Sequence, residues 1–344
     1  MSAIDNVGGW PAVLGRLANG NDLSADECRA VLSSMLAGEA SDAQIAAFIV
    51  GLRIKGETVD EIVGCAEGMR EKATPIKTSR TNLIDTCGTG GDGSGTFNIS
   101  TTVAFVACGA GLAVAKHGNR SVSSQSGSSD LLEALGIALA SDPEKIKTTL
   151  EQTGFVFLFA PFFHPAMKNI APIRQALGVR TVFNILGPLT NPAQPNYYLL
   201  GAFSSKMAKL MAEALSGMSI KRAFIIHGAN GWDEPTPISE FELYDVSPGR
   251  VDFSTREPQD FGIPRCKASD LLGGDSTKNA TALMDVFKGI DQGAHLNSLL
   301  LGTGLALELS GKAINLEEGI TQARNAIEQG TALDLIQKLQ TLKD

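Results

Sequence analysis

Four stretches of the chain carry residue types whose spacing could do chemistry. The first is Asp85-Thr-Cys-Gly-Thr-Gly-Gly-Asp-Gly-Ser-Gly95, which leaves a short apolar run beginning at Leu83 and enters a helical pattern from 97. Its glycines let the backbone turn through positive φ and bring N–H groups close to an anion. The helix that follows adds its amino-terminal amides and its dipole. This composition predicts a phosphate or pyrophosphate loop. Gly88 to Gly93 does spell GxGxxG, yet a dinucleotide fold needs an acidic residue roughly 20 residues on, where this chain has Lys116. The GK[ST] ending of a nucleotide P-loop is also missing.

The second stretch is Lys116-His-Gly-Asn-Arg-Ser-Val-Ser-Ser124, again after an apolar run. A lysine, an arginine and several hydroxyls just beyond the carboxyl end of a strand make an anion pocket. Ser126, Ser128 and Ser129 continue it into the next helix. Two such loops at successive strand ends predict a ligand with two separate phosphate groups. The third stretch is Asp233-Glu234. Beside phosphates this pair suits Mg²⁺, which takes one or two carboxylates and leaves its other positions to water and phosphate oxygens. The fourth is Arg174, whose planar fork can hold a carboxylate.

The elements that must position these residues fall into two kinds. Residues 1–73 read as helical throughout, with capping boxes at Ser24–Glu27, Ser41–Gln44 and Thr58–Glu61. Ile45, Phe48, Ile49 and Leu52 share one helical face, as do Ile62, Cys65, Ala66 and Met69. Those faces need a partner, either the rest of the chain or a second subunit. From Pro75, β-prone runs at 83–85, 112–115, 155–159, 197–203 and 223–228 alternate with helical stretches at 97–109, 127–136, 144–152 and 204–217. That alternation predicts an α/β unit over 74–344 with a mostly parallel central sheet covered on both faces. A polar hairpin is expected over 240–254, with two or three helices from about Ala280 to Leu342. The proline-rich stretch 161–195 reads as an ordered crossing, with residues of about 168–190 packing on the helical unit.

Composition narrows the function classes. The formal charge is −8, from 29 basic and 37 acidic residues, which disfavours a broad grip on nucleic acid or an anionic membrane. Five scattered cysteines without a CxxC pair argue against a disulfide scaffold or a thiolate zinc site. Gly93 to Ala115 carries no charge over 23 residues, but its four glycines and its polar start fit a helix and a buried strand better than a bilayer span. The opening MSAIDNVGGW lacks a basic start and an apolar run, so no secretory signal is expected and the cytoplasm is the expected compartment.

Taken together, GTGGD at 88–92, NIST at 98–101, KHGNR at 116–120, SGSSD at 126–130, HPAMK at 164–168, RTVFNILGPLTNP at 180–192 and Asp233-Glu234 resemble the anthranilate phosphoribosyltransferases. The resemblance spans nearly the whole chain, including NLEEGITQARNAIEQGTAL at 315–333. It implies the nucleoside phosphorylase/phosphoribosyltransferase class of fold, with a small helical domain before the α/β domain. It also implies transfer of a phosphoribosyl group from phosphoribosyl pyrophosphate (PRPP) to anthranilate in tryptophan biosynthesis. By the same resemblance PRPP is held by Gly88, Gly91, Asp92, Thr96, Asn98, Ser100, Thr101, Lys116, His117, Gly118, Asn119, Arg120, Ser121, Val122, Ser123, Ser124 and Ser128. Mg²⁺ falls to Ser100, Asp233 and Glu234, and anthranilate to Gly88, Asn119 and Arg174, with the arginine facing its carboxylate. Lys116, Arg174, Asp233 and Glu234 carry the catalysis. A homodimer joined through the helical domains is implied as well. One departure stands out: Gln125 replaces a lysine of the family pattern, leaving the pocket one positive charge poorer.

The chemistry of the residues agrees. Breaking the C1–O bond of PRPP builds positive charge on the ribose and negative charge on the diphosphate. Amides, a lysine and Mg²⁺ neutralise the leaving group, and Arg174 with Asn119 aims the amine. An aniline-type amine is a free base near neutral pH, so no dedicated base is required, and His117 reads as an orienting residue. Two other readings compete. A pyrimidine nucleoside phosphorylase would give no reason for Asp233-Glu234. A non-catalytic nucleic-acid binder conflicts with the negative charge.

Overall fold

The computed structural model describes residues 3–121 and 125–342. The chain opens with four helices, α1 (Gly9–Ala18), α2 (Ala25–Ala37), α3 (Asp42–Lys55) and α4 (Val59–Lys72). All three expected capping boxes form. Ser24 N donates to Glu27 Oε2 at 2.8 Å, Ser41 N to Gln44 Oε1 at 2.9 Å and Thr58 N to Glu61 Oε2 at 2.9 Å. Each cap fixes a helix start and contributes about 1 kcal/mol.

Glu61 does more than cap. It is fully buried, pairs with Lys55 Nζ at 3.0 Å and accepts from Leu23 N at 2.9 Å. Removing it strands two backbone donors and one side of a partly buried ion pair. Glu61→Ala is therefore expected to cost about 3 kcal/mol in urea unfolding; a loss below about 1 kcal/mol would show the carboxylate to be dispensable.

The second part is a seven-stranded sheet in the order β3-β2-β1-β4-β5-β6-β7. The strands are β1 (Leu83–Gly88), β2 (Ala113–Gly118), β3 (Phe155–Phe159), β4 (Tyr197–Gly201), β5 (Arg222–His227), β6 (Phe241–Ser247) and β7 (Arg250–Arg256). The first five run parallel, and β6 and β7 add an antiparallel hairpin at one edge. Between them lie α5 (Ile99–Gly109), α6 (Ser128–Ala134) and α7 (Pro143–Thr153). The crossing then holds α8 (Ala160–Phe163), α9 (Ala171–Leu177) and α10 (Phe183–Leu189), and α11 (Ser205–Ser216) joins β4 to β5. The described residues end with α12 (Ser276–Phe287), α13 (Ala294–Leu309), α14 (Leu316–Glu328) and α15 (Thr331–Thr341), one helix more than the upper expectation.

β1, to Gly88, and β2, to Gly118, run further than the sequence pattern indicates. β2 continues through Lys116 and His117 because β3 goes on pairing with it as far as Gly118 and Phe159. These two residues are thus strand residues with opposite directions, not loop residues.

Both sheet faces are covered. On one side Ile84, Val114, Phe155 and Phe224 pack with α5 and α12–α15. On the other, Tyr198, Leu200 and Ile225 share a continuous apolar cluster with Phe48, Ile49, Cys65, Ile173, Val182, Phe183 and Met211. The apolar faces of the first four helices thus meet the crossing and the sheet of their own chain. Among the described residues no helix is long and apolar enough to cross a membrane; the uncharged stretch 93–115 divides into the loop, α5 and β2.

Candidate active site

The strand order reverses between β1 and β4, and ligands of such sheets bind in the crevice outside the carboxyl ends at that point. Gly88 and Gly201 pair there, the last residues of the two strands. The Asp233-Glu234 loop, arriving after β5, is laid directly across them. A Cβ on Gly201 would lie 1.6 Å from the Asp233 carbonyl oxygen, and one on Gly88 would lie 2.3 Å from Asp233 Oδ2. Glycine is required at both positions because the acidic loop approaches so closely. Gly201→Ala should displace Asp233 by an ångström or more and lower turnover by about two orders of magnitude, with circular dichroism unchanged; a fully active variant would show that the placement is not critical.

The acidic loop and the glycine loop are tied by hydrogen bonds. Gly90 N donates to Asp233 Oδ2 at 2.6 Å, Asp233 N to Asp92 Oδ2 at 3.3 Å and Ser100 N to Glu234 Oε1 at 3.0 Å. Asp92 also accepts from Ser94 N at 3.0 Å, which folds the loop on itself. Burial and the neighbouring Asp92 charge push Asp233 up to about 7. Burial and Asp233 push Glu234 up to about 8, against the pull of Lys116. A narrow crevice with room for about one water molecule lies here between Thr86, Ser100, Gly201, Asp233 and Glu234. A larger groove by Arg80, Gly111 and Lys312 lies at the opposite, amino-terminal edge of the strands, away from all of these groups.

Two acids held charge-poor by burial are primed for a cation. Among the described residues no three side chains of the His, Cys, Asp or Glu type converge on one ion position. One or two carboxylates suffice for Mg²⁺ when phosphate oxygens and water complete its shell, so the donor set fits.

Lys116 is almost fully buried and its Nζ donates to the Thr86 carbonyl oxygen. Its ammonium also opposes the upward shift of Asp85, which burial carries to about 6. Asp85 accepts from His117 N at 3.1 Å and from Asn191 Nδ2 at 2.7 Å, locking β1 to β2 and to the crossing.

Three expected phosphate ligands are placed differently. Arg120 donates to Asp130 at 2.6 Å and to Glu133 at 2.7 Å, so its guanidinium is satisfied within its own loop and helix. His117 turns to the crossing, with Nδ1 at 3.1 Å from the Gly187 carbonyl oxygen, because alternation along β2 sends it opposite to Lys116. Thr101 is buried in the first turn of α5, where its backbone amide is what it can offer a ligand. Asn119 and Ser128 do hold each other, at 3.2 Å from Asn119 N to Ser128 Oγ. Gly118 carries the turn into that pair, and Ser121 N donates to Asp130 Oδ2 at 3.5 Å. Thr96 bridges to Leu272, and Gln125 is exposed. Val122, Ser123 and Ser124 lie outside the described residues.

The crossing borders the two loops, reaching Gly91 through Arg180 and His117 through Gly187. Arg174 on α9 lies 5.0 Å over the Phe183 ring, half-buried, with no carboxylate in ion-pair reach among the described residues. Burial pulls its guanidinium below the usual arginine range. A desolvated guanidinium without a counter-charge is fitted to an incoming carboxylate. Nearby, the rings of His117 and His164 lie 5.2 Å apart, both buried, and each Nε2 is without a hydrogen-bond partner among the described residues. Burial lowers them to about 3 and about 4, so both are neutral at working pH.

Sequence reasoning did not single out Gly201, Arg180 or Asn191. Arg180 donates to the Gly91 carbonyl oxygen and covers Phe203 at 4.2 Å, clamping the glycine loop to the crossing. The available signals were the GAF sequence closing β4 and the RTVFN and TNP runs.

Comparisons with known proteins agree with this geometry. Residues 80–333 match the glycosyl transferase family a/b domain and residues 11–73 the helical bundle domain of that family. The chain is 44% identical over 318 residues to the anthranilate phosphoribosyltransferase of Alkaliphilus metalliredigens, covering 92% of this chain and 94% of that protein. It superposes on the crystal structure of anthranilate phosphoribosyltransferase from Thermus thermophilus with a TM-score of 0.89 at 40% identity, over 95% of this chain and 98% of that one. The Saccharomyces cerevisiae enzyme in complex with PRPP and Mg superposes with a TM-score of 0.88 at 28% identity, over 96% of both chains. By sequence and by structure, the chain belongs to the anthranilate phosphoribosyltransferase family.

Proposed function

We infer that this chain transfers the 5-phosphoribosyl group of PRPP to the amine of anthranilate, releasing pyrophosphate, as a step of tryptophan biosynthesis. One observation carries this reading: the glycine loop and the Asp233-Glu234 pair meet at the switch point with the buried Lys116 beside them, while Arg174 on the crossing has no ion-pair partner among the described residues.

The donor is assigned to the amides of Gly88–Gly95 and the start of α5, with Asp92, Thr96, Asn98 and Ser100, and to the loop from Lys116 through Ser128. Mg²⁺, held by Asp233, Glu234 and the Ser100 hydroxyl, supplies neutralising charge for the diphosphate when bound. Lys116 adds a fixed positive charge in a site largely shielded from water, where it acts more strongly than in solvent. Arg120 contributes to a phosphate only by leaving Asp130 and Glu133. Anthranilate is assigned to Arg174, Asn119 and the Gly88 backbone, with its ring against the neutral His117 and His164. Arg174 takes the carboxylate and so aims the ortho amine at C1. The division at residue 73, the pairing of two copies through the helical unit and a cytoplasmic setting belong to the same proposal.

The direct test mixes the protein with anthranilate, PRPP and Mg²⁺ and follows loss of anthranilate fluorescence. Loss that EDTA abolishes is expected; an unchanged signal at micromolar enzyme removes the reading.

The acidic pair also sets a pH dependence. Both carboxyls stand above their unfolded values, so the metal-free protein should lose stability as pH rises from about 4, levelling off above 7 to 8. Each must release its proton to hold a cation, so the Mg²⁺ midpoint should tighten by about a hundredfold between about pH 6.5 and about pH 8.5. A midpoint independent of pH would contradict the assignment.

A further inference from the structure

The two loops assigned to PRPP leave neighbouring strands β1 and β2, and beyond the strand ends their spacing depends on contacts outside the sheet. Asn98 stands where the first loop enters α5. Its Nδ2 donates to the Ser126 carbonyl oxygen of the second loop at 3.1 Å, and Ser126 Oγ donates to Asn98 Oδ1 at 3.1 Å. A further partner arrives from far along the chain. Asn279, in the first turn of α12 and 2% exposed, donates through Nδ2 to Asn98 Oδ1 at 2.9 Å. Its own Oδ1 accepts from Gly274 N at 2.8 Å.

Neither amide is free to flip. Gly274 N–H can only donate, which turns Asn279 Oδ1 toward it and Nδ2 toward Asn98. Asn98 Oδ1 therefore faces Asn279, and its Nδ2 faces the Ser126 carbonyl, which can only accept. The relay has a fixed polarity from one backbone donor to one backbone acceptor. The same downstream segment runs beside the glycine loop: Phe97 N donates to Leu271 O at 3.2 Å and Gly273 N to Gly95 O at 2.9 Å.

We propose that Asn279 is a positioning residue for the donor site, orienting the Asn98 amide and so fixing the spacing of the two phosphate-binding loops without itself touching substrate. The proposal rests on the assignment of those loops to PRPP. A ligand gripped at both ends is sensitive to that spacing, whereas anthranilate takes its charged anchor, Arg174, from the crossing and should respond less.

The test titrates PRPP with Mg²⁺ into the full-length wild type, Asn279→Asp and Asn279→Ala by calorimetry, each well below its own melting temperature. Asn279→Asp keeps the side-chain shape and the Gly274 bond, but sets a second acceptor against Asn98 Oδ1. PRPP affinity is expected to fall about tenfold in both variants, with the KM for anthranilate within about twofold of wild type. Variants that bind PRPP like the wild type overturn the proposal, as does a lowered melting temperature with unchanged affinity. A wild type that fails to bind PRPP is a different result: it defeats the loop assignment, and the proposal falls with it.

Discussion

Replacing Asp233 and Glu234 together by alanine is expected to lower turnover by about three orders of magnitude or more, roughly 4 kcal/mol of lost transition-state stabilisation. The magnitude follows from what the pair does. Diphosphate leaves with its charge growing, and in this crevice the buried acids are the groups able to hold the divalent cation that neutralises it. Loop amides and Lys116 remain in the variant, so residual activity should exceed the uncatalysed rate and should no longer respond to EDTA. The isosteric Asp233→Asn, Glu234→Gln variant separates chemistry from folding. It keeps acceptors for Gly90 N and Ser100 N and removes two adjacent like charges, Asp233 buried and Glu234 half-buried. At alkaline pH without Mg²⁺ it should therefore melt no lower than wild type while remaining inactive. A double variant with wild-type turnover would show that the carboxylates serve the loop and not the reaction.

Arg174→Ala should raise the KM for anthranilate by about a hundredfold, the scale of a lost charge-assisted, partly buried hydrogen-bonded pair. The KM for PRPP should stay within a few-fold, because Arg174 sits on α9 and the donor loops hang from β1 and β2. Arg174→Lys restores charge but not the two-pronged geometry, and should recover only part of the loss. Equal damage to both substrates would mean that Arg174 supports the crossing through its contact with Phe183.

The legible parts of this molecule were those governed by local rules. Ser24, Ser41 and Thr58 cap helices because a hydroxyl three residues before an acid or amide closes a local ring of bonds, and all three formed. The glycine loop and the acidic pair were readable because glycine spacing and adjacent carboxylates are short-range signals. What escaped depends on partners distant in sequence. Arg120 reads as a free cation until α6 brings Asp130 and Glu133 to it. His117 reads as a loop residue until β3 extends β2 and alternation turns its ring to the crossing. Gly201 reads as the end of an apolar strand. Its need for a bare α-carbon exists only once Asp233 is folded against it.

The central physical claim is that the diphosphate of PRPP departs from between the Gly88–Gly95 loop and the Asp233-Glu234 pair. Crystals grown with PRPP and Mg²⁺ test it most directly. Diphosphate density against the amides of that loop, with a metal ion bridging it to Asp233 and Glu234, is the expected result. PRPP bound elsewhere on the molecule, with that crevice empty at saturating ligand, would contradict it.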